Sequence, residues 1–429
     1  MSRPHIVILG AGFGGVYVVK KLLAYVKSGE IDITIVSKNN YFLFTPLLHE
    51  VATGSLGPQS VTEPLREIFS GAHIHIISGE VENIFVPQKK LYIKTATKEV
   101  ELEYDYLVIS AGAETNYYGI QGASENALPL KNLEDALKIR NRIIDSFERA
   151  TLFPDPEKRK KILSFTVVGG GATGVEFAGE LAQLLHSLTE RYYRCPQGKI
   201  EEKISKLDKD CIEYSVRLVH AGKELLEMFP PKLRKAAYER LTKLGIDIHL
   251  ECKVEGVEQD RIIISGQDFD SNTTIWTAGV KPNKIRFSGF VPEYNADRLL
   301  VDEYFLIKKT SNIFALEDVA YYENKENQKA LPMLAQVAVG EAKIIAKNIL
   351  LSLEGREMLS FNYKSKGSMV SVGQWFAIGF IKGISISGRL TWWLWRTVYL
   401  FKFASWKKRI RIAFEWSMDI IFPREITRI

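Results

Sequence analysis

The chain begins with an apolar run, a glycine-rich turn and a mixed apolar–polar stretch, and this order indicates a parallel α/β unit. The run Ile6–Leu9 predicts a strand that is buried on both faces, because it is apolar without alternation. The stretch Val16–Val26 has apolar residues at helical spacing and predicts a helix, and Ile31–Val36 predicts a second strand. The first 36 residues therefore predict a strand–turn–helix–strand unit.

The same plan returns near the middle of the chain. It predicts a strand over Phe165–Val168, a helix over Val175–Leu188 and a strand over Tyr214–Val219, after a charged surface insertion around Lys199–Asp210. Other apolar runs predict further strands: Val81–Val86, Lys90–Thr95, Tyr104–Gly112 and Asn312–Ala320. Two such units predict an α/β fold with two Rossmann-like dinucleotide-binding domains.

Each predicted turn carries the spacing G-x-G-x-x-G. The glycines are Gly10, Gly12 and Gly15 in the first loop, and Gly169, Gly171 and Gly174 in the second. The first glycine of such a loop makes the tight turn, the second lets the backbone approach a pyrophosphate, and the third lets the helix pack on the strand. The helix then presents free N–H groups to the anion. Two loops indicate two dinucleotides, one that gives a hydride and one that accepts it.

Neither predicted second strand ends in the acidic residue that usually binds the ribose hydroxyls. Ser37 ends the first, and a serine can still donate a hydrogen bond to a ribose. His220 ends the second, with Lys223 nearby. A carboxylate there would repel the 2′-phosphate of NADPH, so its absence leaves the choice between NADH and NADPH open. The alternative is that other contacts hold the ribose and His220 is incidental.

Composition excludes several other classes of protein. The formal charge of +6, from 57 Lys+Arg and 51 Asp+Glu, does not by itself indicate nucleic-acid binding. The three cysteines form no C-x-x-C pair, so no disulfide framework is expected and a reducing compartment fits. His73 and His75 share a strand face without a cysteine or carboxylate cluster, so no metal site is expected. No signal peptide and no spanning helix are expected.

The C-terminal tail is rich in tryptophan and basic residues. Five of the seven tryptophans lie there: Trp392, Trp393, Trp395, Trp406 and Trp416. No acidic residue appears from Gly388 to Phe414. Aromatic rings favour the headgroup boundary and basic side chains favour anionic lipid, so the tail is predicted to lie on an anionic bilayer surface. The alternative is a packed helix pair or a homodimer surface. Without a recognisable reading motif, no nucleic-acid partner is predicted.

Seven segments, in order along nearly the whole chain, resemble the type II NADH:quinone oxidoreductases. They are Asn40–Leu48, Tyr104–Ala113, Leu128–Lys131 followed by Ala136–Arg142, Val168–Glu180 (VGGGATGVEFAGE), Ile275–Asn283, Asn312–Ala320 (NIFALEDVA) and Phe361–Met369 (FNYKSKGSM). The resemblance implies that the first loop holds FAD, the second holds NADH (with NADPH left open), and a membrane quinone accepts the electrons without proton pumping. It also implies a peripheral protein on the cytoplasmic face of the inner (plasma) membrane.

The resemblance further implies a domain plan and a set of site residues. Residues 1–125 and 290–360 would form the FAD domain, 126–289 the NAD(P)H domain and 361–429 a membrane-association module. The implied cofactor contacts are Gly10, Gly12, Phe13, Gly14, Gly15, Ser37, Lys38, Thr45, Pro46, Val81, Ala111, Gly112, Gly169, Gly171, Thr173, Gly174, Glu176, His220, Ala278, Gly279 and Asp318. The implied catalytic residues are Glu176, Gln336, Glu341 and Lys366.

Glu176 is the predicted proton-relay residue. A partly buried carboxyl should have a raised pKa. The alternative is a carboxylate near a helix start that the dipole stabilises.

Two residues depart from the family pattern. Glu341 stands where a glutamine is usual, which weakens the argument for quinone binding. Glu317 stands where a glycine precedes the flavin-contacting Asp318, so its side chain is expected to crowd the cofactor and weaken flavin binding. Two other functions are therefore kept: a soluble NAD(P)H-flavin reductase with another acceptor, and a flavin-binding interaction or signalling protein. The unpaired cysteines distinguish the chain from disulfide reductases and sulfide:quinone oxidoreductases.

Overall fold

The computed structural model describes residues 3–192, 213–324, 330–363, 365–403, 405–422, 424, 427 and 428. These form two compact units, each made of three chain segments. The first comprises Met1–Leu43, Thr62–Glu114 and Val280–Ser365, and the second comprises Phe44–Val61, Thr115–Gly279 and Lys366–Ile429. The functional division predicted above stays a prediction. The predicted insertion at Lys199–Asp210, with Cys195 and Cys211, lies outside the described residues.

The first unit is built on a five-stranded parallel sheet. Its strands are β1 (His5–Leu9), β2 (Asp32–Ser37), β3 (Ile74–Ser78), β4 (Tyr106–Ile109) and β10 (Ile313–Ala315), in the spatial order β10-β4-β1-β2-β3. Its long helices are α1 (Phe13–Ser28) and α6 (Ala335–Leu353), which pack against each other. Ile6, Val7 and Ile8 of the central strand are fully buried, as the apolar run predicts.

Shorter elements complete the first unit. One antiparallel group contains Glu80–Phe85, Lys90–Lys94 and Glu99–Glu103, with Phe287–Ser288 pairing at its edge. Arg298–Leu300 pairs antiparallel with Tyr294–Asn295 and parallel with Ala320–Tyr321. Tyr41–Leu43 pairs antiparallel with Thr62–Pro64. A short helix spans Leu65–Ile68.

The second unit repeats the five-stranded parallel plan. Its strands are β5 (Ala127–Pro129), β6 (Ser164–Val168), β7 (Ser215–Val219), β8 (Ile246–His249) and β9 (Thr273–Trp276), in the order β5-β9-β6-β7-β8. Its main helices are α2 (Leu48–Ala52), α3 (Leu133–Thr151), α4 (Ala172–Arg191), α5 (Pro231–Lys243), α7 (Arg389–Lys402) and α8 (Trp406–Ile421). Short helices span Pro58–Val61, Ala123–Asn126 and Pro156–Ile162.

Two antiparallel three-stranded sheets belong to the second unit as well. One contains Val254–Val257, Arg261–Ile264 and Gln267–Asp270, and the other contains Ser368–Ser371, Ala377–Ile381 and Ile384–Gly388. None of the helices in the described part of the chain combines the length and the apolar character needed to cross a bilayer.

The predicted α/β fold is confirmed, with two local corrections. Helices α1 and α4 begin at Phe13 and Ala172, three residues earlier than predicted, because the loop glycines Gly12 and Gly171 themselves form the N-caps. Asn312–Ala320 is not one continuous strand. A strand over Ile313–Ala315 is followed by a 3₁₀ turn over Glu317–Val319, and Ala320 begins a separate short strand, Ala320–Tyr321.

Candidate functional site

The first glycine loop leaves no room for side chains where the strand meets the helix. Gly10 has φ +99°, and a Cβ there would lie 2.0 Å from the Ser110 carbonyl oxygen. A Cβ on Gly15 would lie 2.0 Å from the Gly10 carbonyl oxygen. Gly12 caps α1 and brings no side chain to the helix N-terminus, where the amides of a first turn attract an anion. This geometry fits a dinucleotide pyrophosphate.

Glu317 contributes a carboxylate to the same turn. The backbone N–H of Gly14 donates a hydrogen bond to Glu317 Oε1. Glu317 itself has φ +64°, a conformation that favours glycine. The predicted crowding is therefore present, since the carboxylate lies where helix amides attract an anion. The cradle fits the FAD pyrophosphate once this side chain turns aside, and weaker flavin binding stays a prediction.

Glu341 on α6 supports the backbone of that turn. Its Oε2 accepts a hydrogen bond of 2.8 Å from the Glu317 N–H. Burial raises the pKa of Glu341 to about 7, although the Glu317 N–H favours the charged form. The charge of Asp318 raises this pKa further, and Arg298 acts in the opposite direction. Gln336 is the second residue of the same helix and is half-buried.

Replacing Glu341 by glutamine is expected to remove a pH-dependent loss of stability. The folded pKa is raised to about 7 from the usual value of 4.5, so the folded state binds more protons in this interval. The wild type should therefore lose stability as pH rises from 4.5 to 7, by about 3 kcal/mol in all. E341Q should melt at a higher temperature than the wild type at pH 8 and at a similar one near pH 4.5. A melting-temperature difference that is constant with pH would contradict this.

The parallel sheet brings the other predicted residues of the first unit to its carboxyl edge. The Gly10 N–H donates to Val36 O, and the Gly79 N–H donates to Ser37 O, at the end of β2. Lys38 forms an exposed ion pair of 2.7 Å with Glu80, beside the predicted Val81.

Asn283 is a residue of this site for which no role was predicted. Its side-chain amide donates to Ala111 O at 2.7 Å, and its backbone N–H donates to Gly112 O at 3.1 Å. It thereby fixes the turn after β4. Phe13 makes an edge contact with Phe42, with ring centroids 5.0 Å apart.

The second glycine loop repeats the cradle in the second unit. Gly169 has φ +119°, and a Cβ on Gly174 would lie 1.9 Å from the Gly169 carbonyl oxygen. Gly171 caps α4 without a side-chain hydrogen bond, and the space beside it is open to 4 Å. Thr277 Oγ1 donates to Val168 O at 2.8 Å and ties the loop to the strand end. The loop fits a second pyrophosphate without any side chain having to move.

His220 contacts the second loop directly. The Gly170 N–H donates a hydrogen bond of 3.2 Å to His220 Nδ1. Burial lowers the pKa of His220, and the charge of Glu227 acts in the opposite direction. The ring is thus neutral at pH 7 and adds no positive charge for a 2′-phosphate. Thr173 is the second residue of α4.

The segment after β9 contains Ala278 and Gly279. The Tyr118 hydroxyl donates to Ala278 O at 3.2 Å, and a Cβ on Gly279 would lie 2.2 Å from the same hydroxyl oxygen. Gly279 is therefore required for this close approach, where its φ is +150°.

Glu176 lies on α4 and is buried. Its Oε1 accepts a hydrogen bond of 3.2 Å from the Ser371 N–H, and its Oε2 lies 3.9 Å from His49 Nδ1. Burial raises the pKa of Glu176 well above its usual range, and the charges of Glu50 and Glu180 add to this. Glu176 lies beyond the first turn of α4, and the helix dipole would lower its pKa. Burial therefore has a larger effect on the pKa of Glu176 than the helix dipole has.

Three predicted residues stand apart from these contacts. Thr45 and Pro46 belong to a 3₁₀ turn, Thr45–Leu47, that leads into α2 in the second unit. Lys366 is exposed, and its charge contributes, after burial, to lowering the pKa of Lys402. The roles of all three stay predictions.

A buried charge cluster surrounds Glu176, and sequence reasoning missed most of it. We define the cluster as His49, Glu50, Glu176, Glu180, Arg396, Asp419 and Arg424, all in the second unit and all with buried side chains. Arg424 donates to Glu180 Oε2 and to Asp419 Oδ1. The only sequence signal was Glu180, one turn after Glu176 on an otherwise apolar helix face.

The tail prediction needs a correction. Trp392, Trp395 and Trp416 are buried in the second unit, with at most 4% of their surface exposed, and so they do not lie at a bilayer surface. The guanidinium of Arg396 stacks over the Trp392 ring at 3.9 Å from its centroid. The packed-helix alternative accounts for these four side chains.

A different set of tail residues is exposed. Along α8 a stripe at helical spacing faces solvent, which we call the α8 apolar face: Trp406, Ile410, Phe414, Met418 and Ile421. Lys407 and Arg411 are exposed beside it. An exposed apolar stripe of this size usually contacts another surface.

Metal and thiol chemistry find no support in the described ranges. No group of three or more histidine, cysteine, aspartate or glutamate side chains is placed there to hold a metal ion. Cys252 is a free, half-buried thiol.

Two family models match the chain. Residues 4–342 match the pyridine nucleotide-disulphide oxidoreductases, and residues 365–425 match the NDH2 C-terminal domain. The first match covers both glycine loops and Glu176, and the second covers α7 and α8.

Curated relatives match over almost their whole length. A probable NADH dehydrogenase of Dictyostelium discoideum is 33% identical over 100% of this chain and 92% of that protein. A type II NADH:quinone oxidoreductase of Mycobacterium tuberculosis is 30% identical over 98% of this chain and 89% of that protein. The solved structure of Plasmodium falciparum NDH2 in complex with NADH has the same fold, with a TM-score of 0.88 at 24% identity, over 99% of this chain and 100% of that one.

Proposed function

Since this chain belongs to the type II NADH:quinone oxidoreductases, FAD-dependent enzymes of the pyridine nucleotide-disulphide oxidoreductase family, we propose which of its residues serve NADH oxidation and quinone reduction. The observation that carries the proposal is the pair of glycine cradles, each of which fits a pyrophosphate at a helix N-terminus.

The first cradle, with Asp318 and the turn after β4, would hold FAD. The second, with Thr173, Ala278 and Gly279, would hold NADH. FAD, when bound there, would supply the acceptor of the NADH hydride and the donor of the electron pair that reduces the quinone. The neutral His220 ring offers a 2′-phosphate neither attraction nor repulsion, so NADPH remains a second nucleotide of this proposal.

Glu176 is proposed as the residue that gives a proton to the quinone. A quinone oxygen that gains an electron pair must be protonated, and a general acid needs a proton near neutral pH. Burial raises the pKa of Glu176 well above its usual range and so favours the protonated form. Gln336, Glu341 and Lys366 are proposed as further residues of the quinone and flavin site, in keeping with the family resemblance.

E176Q is expected to separate the two half-reactions. Flavin bleaching by NADH in stopped flow should be nearly unchanged, because Glu176 carries no step of hydride transfer. Reoxidation by a short-chain quinone should slow about tenfold, because an amide cannot give a proton. E190Q on the exposed end of α4 is the matched control and should behave as wild type. An unchanged quinone rate in E176Q removes this residue from the mechanism.

Steady-state oxidation of NADH and of NADPH with a short-chain quinone tests the function and its alternatives. Quinone-stimulated turnover is the expected result. Turnover only with another soluble acceptor would favour a flavin reductase. Flavin bleaching without appreciable turnover would favour a flavin-binding interaction or signalling protein.

We further propose that the α8 apolar face lies on an anionic lipid bilayer, as a peripheral contact from the cytoplasmic side. The exposed aromatic rings would enter the headgroup boundary, and Lys407 and Arg411 beside them would attract anionic headgroups. Because a quinone acceptor is lipid-soluble, a bilayer is the partner that best fits the α8 apolar face. A homodimer through the tail remains the other proposal for this surface, and sedimentation with and without vesicles distinguishes them.

A further inference from the structure

The buried charge cluster contains more acid than base. Its carboxyls are Glu50, Glu176, Glu180 and Asp419, and its guanidinium groups are Arg396 and Arg424. Burial lowers the pKa of His49 to about 3, so that ring is neutral and contributes no charge. Two carboxyls are therefore not balanced by a cation, and a buried uncompensated charge is strongly unfavourable.

Geometry identifies the two that are balanced. Arg424 Nε donates to Asp419 Oδ1 at 2.8 Å, and its Nη2 donates to Glu180 Oε2. Arg396 Nη2 lies 3.9 Å from Asp419 Oδ2. Asp419 also accepts a hydrogen bond of 2.9 Å from Gln374 Nε2. Asp419 and Glu180 thus take the ion pairs of 4 Å or less that the two guanidinium groups form, whereas the charge of Arg396 acts on Glu50 over a longer distance.

Glu50 and Glu176 are the two carboxyls of the cluster that remain, and protonation would remove their charge. Glu50 Oε2 accepts a hydrogen bond of 2.6 Å from the indole Nε1–H of Trp416. Burial raises the pKa of Glu50 to about 8, with Arg396 acting in the opposite direction. The charge of Glu50 in turn raises the pKa of Glu176, so the two carboxyls respond to each other. Burial thus favours the protonated form of both carboxyls.

We propose that Glu50 is a second proton-holding residue, and that with Glu176 it forms a two-proton store whose outer wall is the C-terminal helix α8. Reduction of one quinone to a quinol takes up two electrons and two protons. The hydride of NADH supplies both electrons, and the proton that it carries is released to solvent when those electrons pass to the quinone. The two carboxyls supply the two protons of the quinol, and both carboxylates are then reprotonated from solvent, so that the net uptake is one proton per NADH. That these protons go to a quinone rests on the function proposed above.

Helix α8 takes part in both the proposed bilayer contact and the proposed proton store, and it does so through opposite faces. Its inner face places Trp416 against Glu50 and Asp419 beside Arg424. Its outer face is the α8 apolar face. The helix proposed to lie on the membrane therefore also sets the proton affinity of Glu50.

The first test is a difference titration of the folded protein, which does not depend on activity. Between pH 7 and pH 9 the wild type should release about one proton per chain more than E50Q, as expected for a group with a pKa of about 8. Since glutamine resembles the neutral acid, E50Q should remain folded. Equal proton release by the two proteins overturns the assignment of Glu50.

The second test is the pH profile of kcat with a short-chain quinone. The wild-type kcat should fall as pH rises through about 8, and in E50Q it should be about tenfold lower and level across this range. W416F removes a hydrogen bond to the charged form, so it should move the wild-type fall upward by about one pH unit. S417A, on the same helix, should not move it.

The two tests distinguish the possible failures. If E50Q titrates as expected but keeps the wild-type kcat profile, Glu50 holds a proton without supplying it, and the two-proton store is wrong. If the wild type shows no quinone turnover, the proposed function fails while the titration still reports on Glu50.

Discussion

E317G should bind FAD about 10- to 100-fold more tightly than the wild type. In the wild type the Glu317 carboxylate accepts a hydrogen bond from the Gly14 N–H at the start of α1, where the FAD pyrophosphate would have to accept one. A hydrogen bond to a charged group contributes about 1.5–3 kcal/mol, and each 1.4 kcal/mol is a factor of ten in affinity. Removing the side chain frees the amide and removes the repulsion between carboxylate and phosphate. Quenching of FAD fluorescence on titration into apoprotein measures the change.

E317Q separates charge from size in the same experiment. The amide keeps most of the side-chain volume but does not repel phosphate, so its FAD affinity should lie between those of the wild type and E317G. Without FAD the stability of E317G should stay close to that of the wild type. Relief of the strain at φ +64°, about 1–3 kcal/mol, is offset by loss of the hydrogen bond from the Gly14 N–H, about 1.5–3 kcal/mol. Equal FAD affinity in all three proteins would show that Glu317 does not compete with the pyrophosphate.

The triple variant W406Q/I410Q/F414Q should lose at least a hundredfold in affinity for anionic vesicles. The three side chains are 60–66% exposed on the α8 apolar face. Burial of a large apolar side chain contributes about 1.5–3 kcal/mol, and a hundredfold change in affinity corresponds to about 2.8 kcal/mol. The loss of three such side chains is expected to exceed that energy even when each is only partly buried in the bilayer. Co-sedimentation with vesicles that contain anionic lipid measures the partition, and NADH oxidation with a soluble quinone should be retained.

A matched control exists in the same molecule. Leu152, Tyr238 and Val291 are also exposed apolar residues, but they lie outside the tail, so L152Q/Y238Q/V291Q should sediment with vesicles like the wild type. Unchanged binding of the tail variant would contradict the proposed bilayer contact. Deletion of the tail is a poorer test, because Trp392, Trp395 and Arg424 are buried in the second unit and their loss would unfold it.

Local sequence pattern was sufficient to predict the two cradles. A glycine loop depends on a strand before it, a helix after it and the absence of side chains at the turn. All three features can be read from about fifteen consecutive residues, as around Gly10 and Gly169. Glu317 was recognised as a departure for the same reason, since a family motif specifies a glycine at that position. What local pattern did not give is the partner of its carboxylate, the Gly14 amide, which is 303 residues away.

The charge cluster and the tail were beyond such reasoning. Trp416 and Glu50 are 366 residues apart, and Arg424 and Glu180 are 244 apart, so nothing in either neighbourhood indicates the partner. The tryptophans of the tail have the composition of a membrane segment whether they face lipid or core. Which of them is buried depends on the helix register in the folded unit, as the contrast between buried Trp416 and exposed Trp406 shows.

Anaerobic stopped flow on the purified protein, saturated with FAD, tests the central claim most directly. NADH should bleach the flavin absorbance, and a short-chain quinone added in a second mix should restore it at a rate that supports steady-state turnover. Failure of the apoprotein to take up FAD even at saturating concentration would contradict the account, as would bleached flavin that quinone cannot reoxidise.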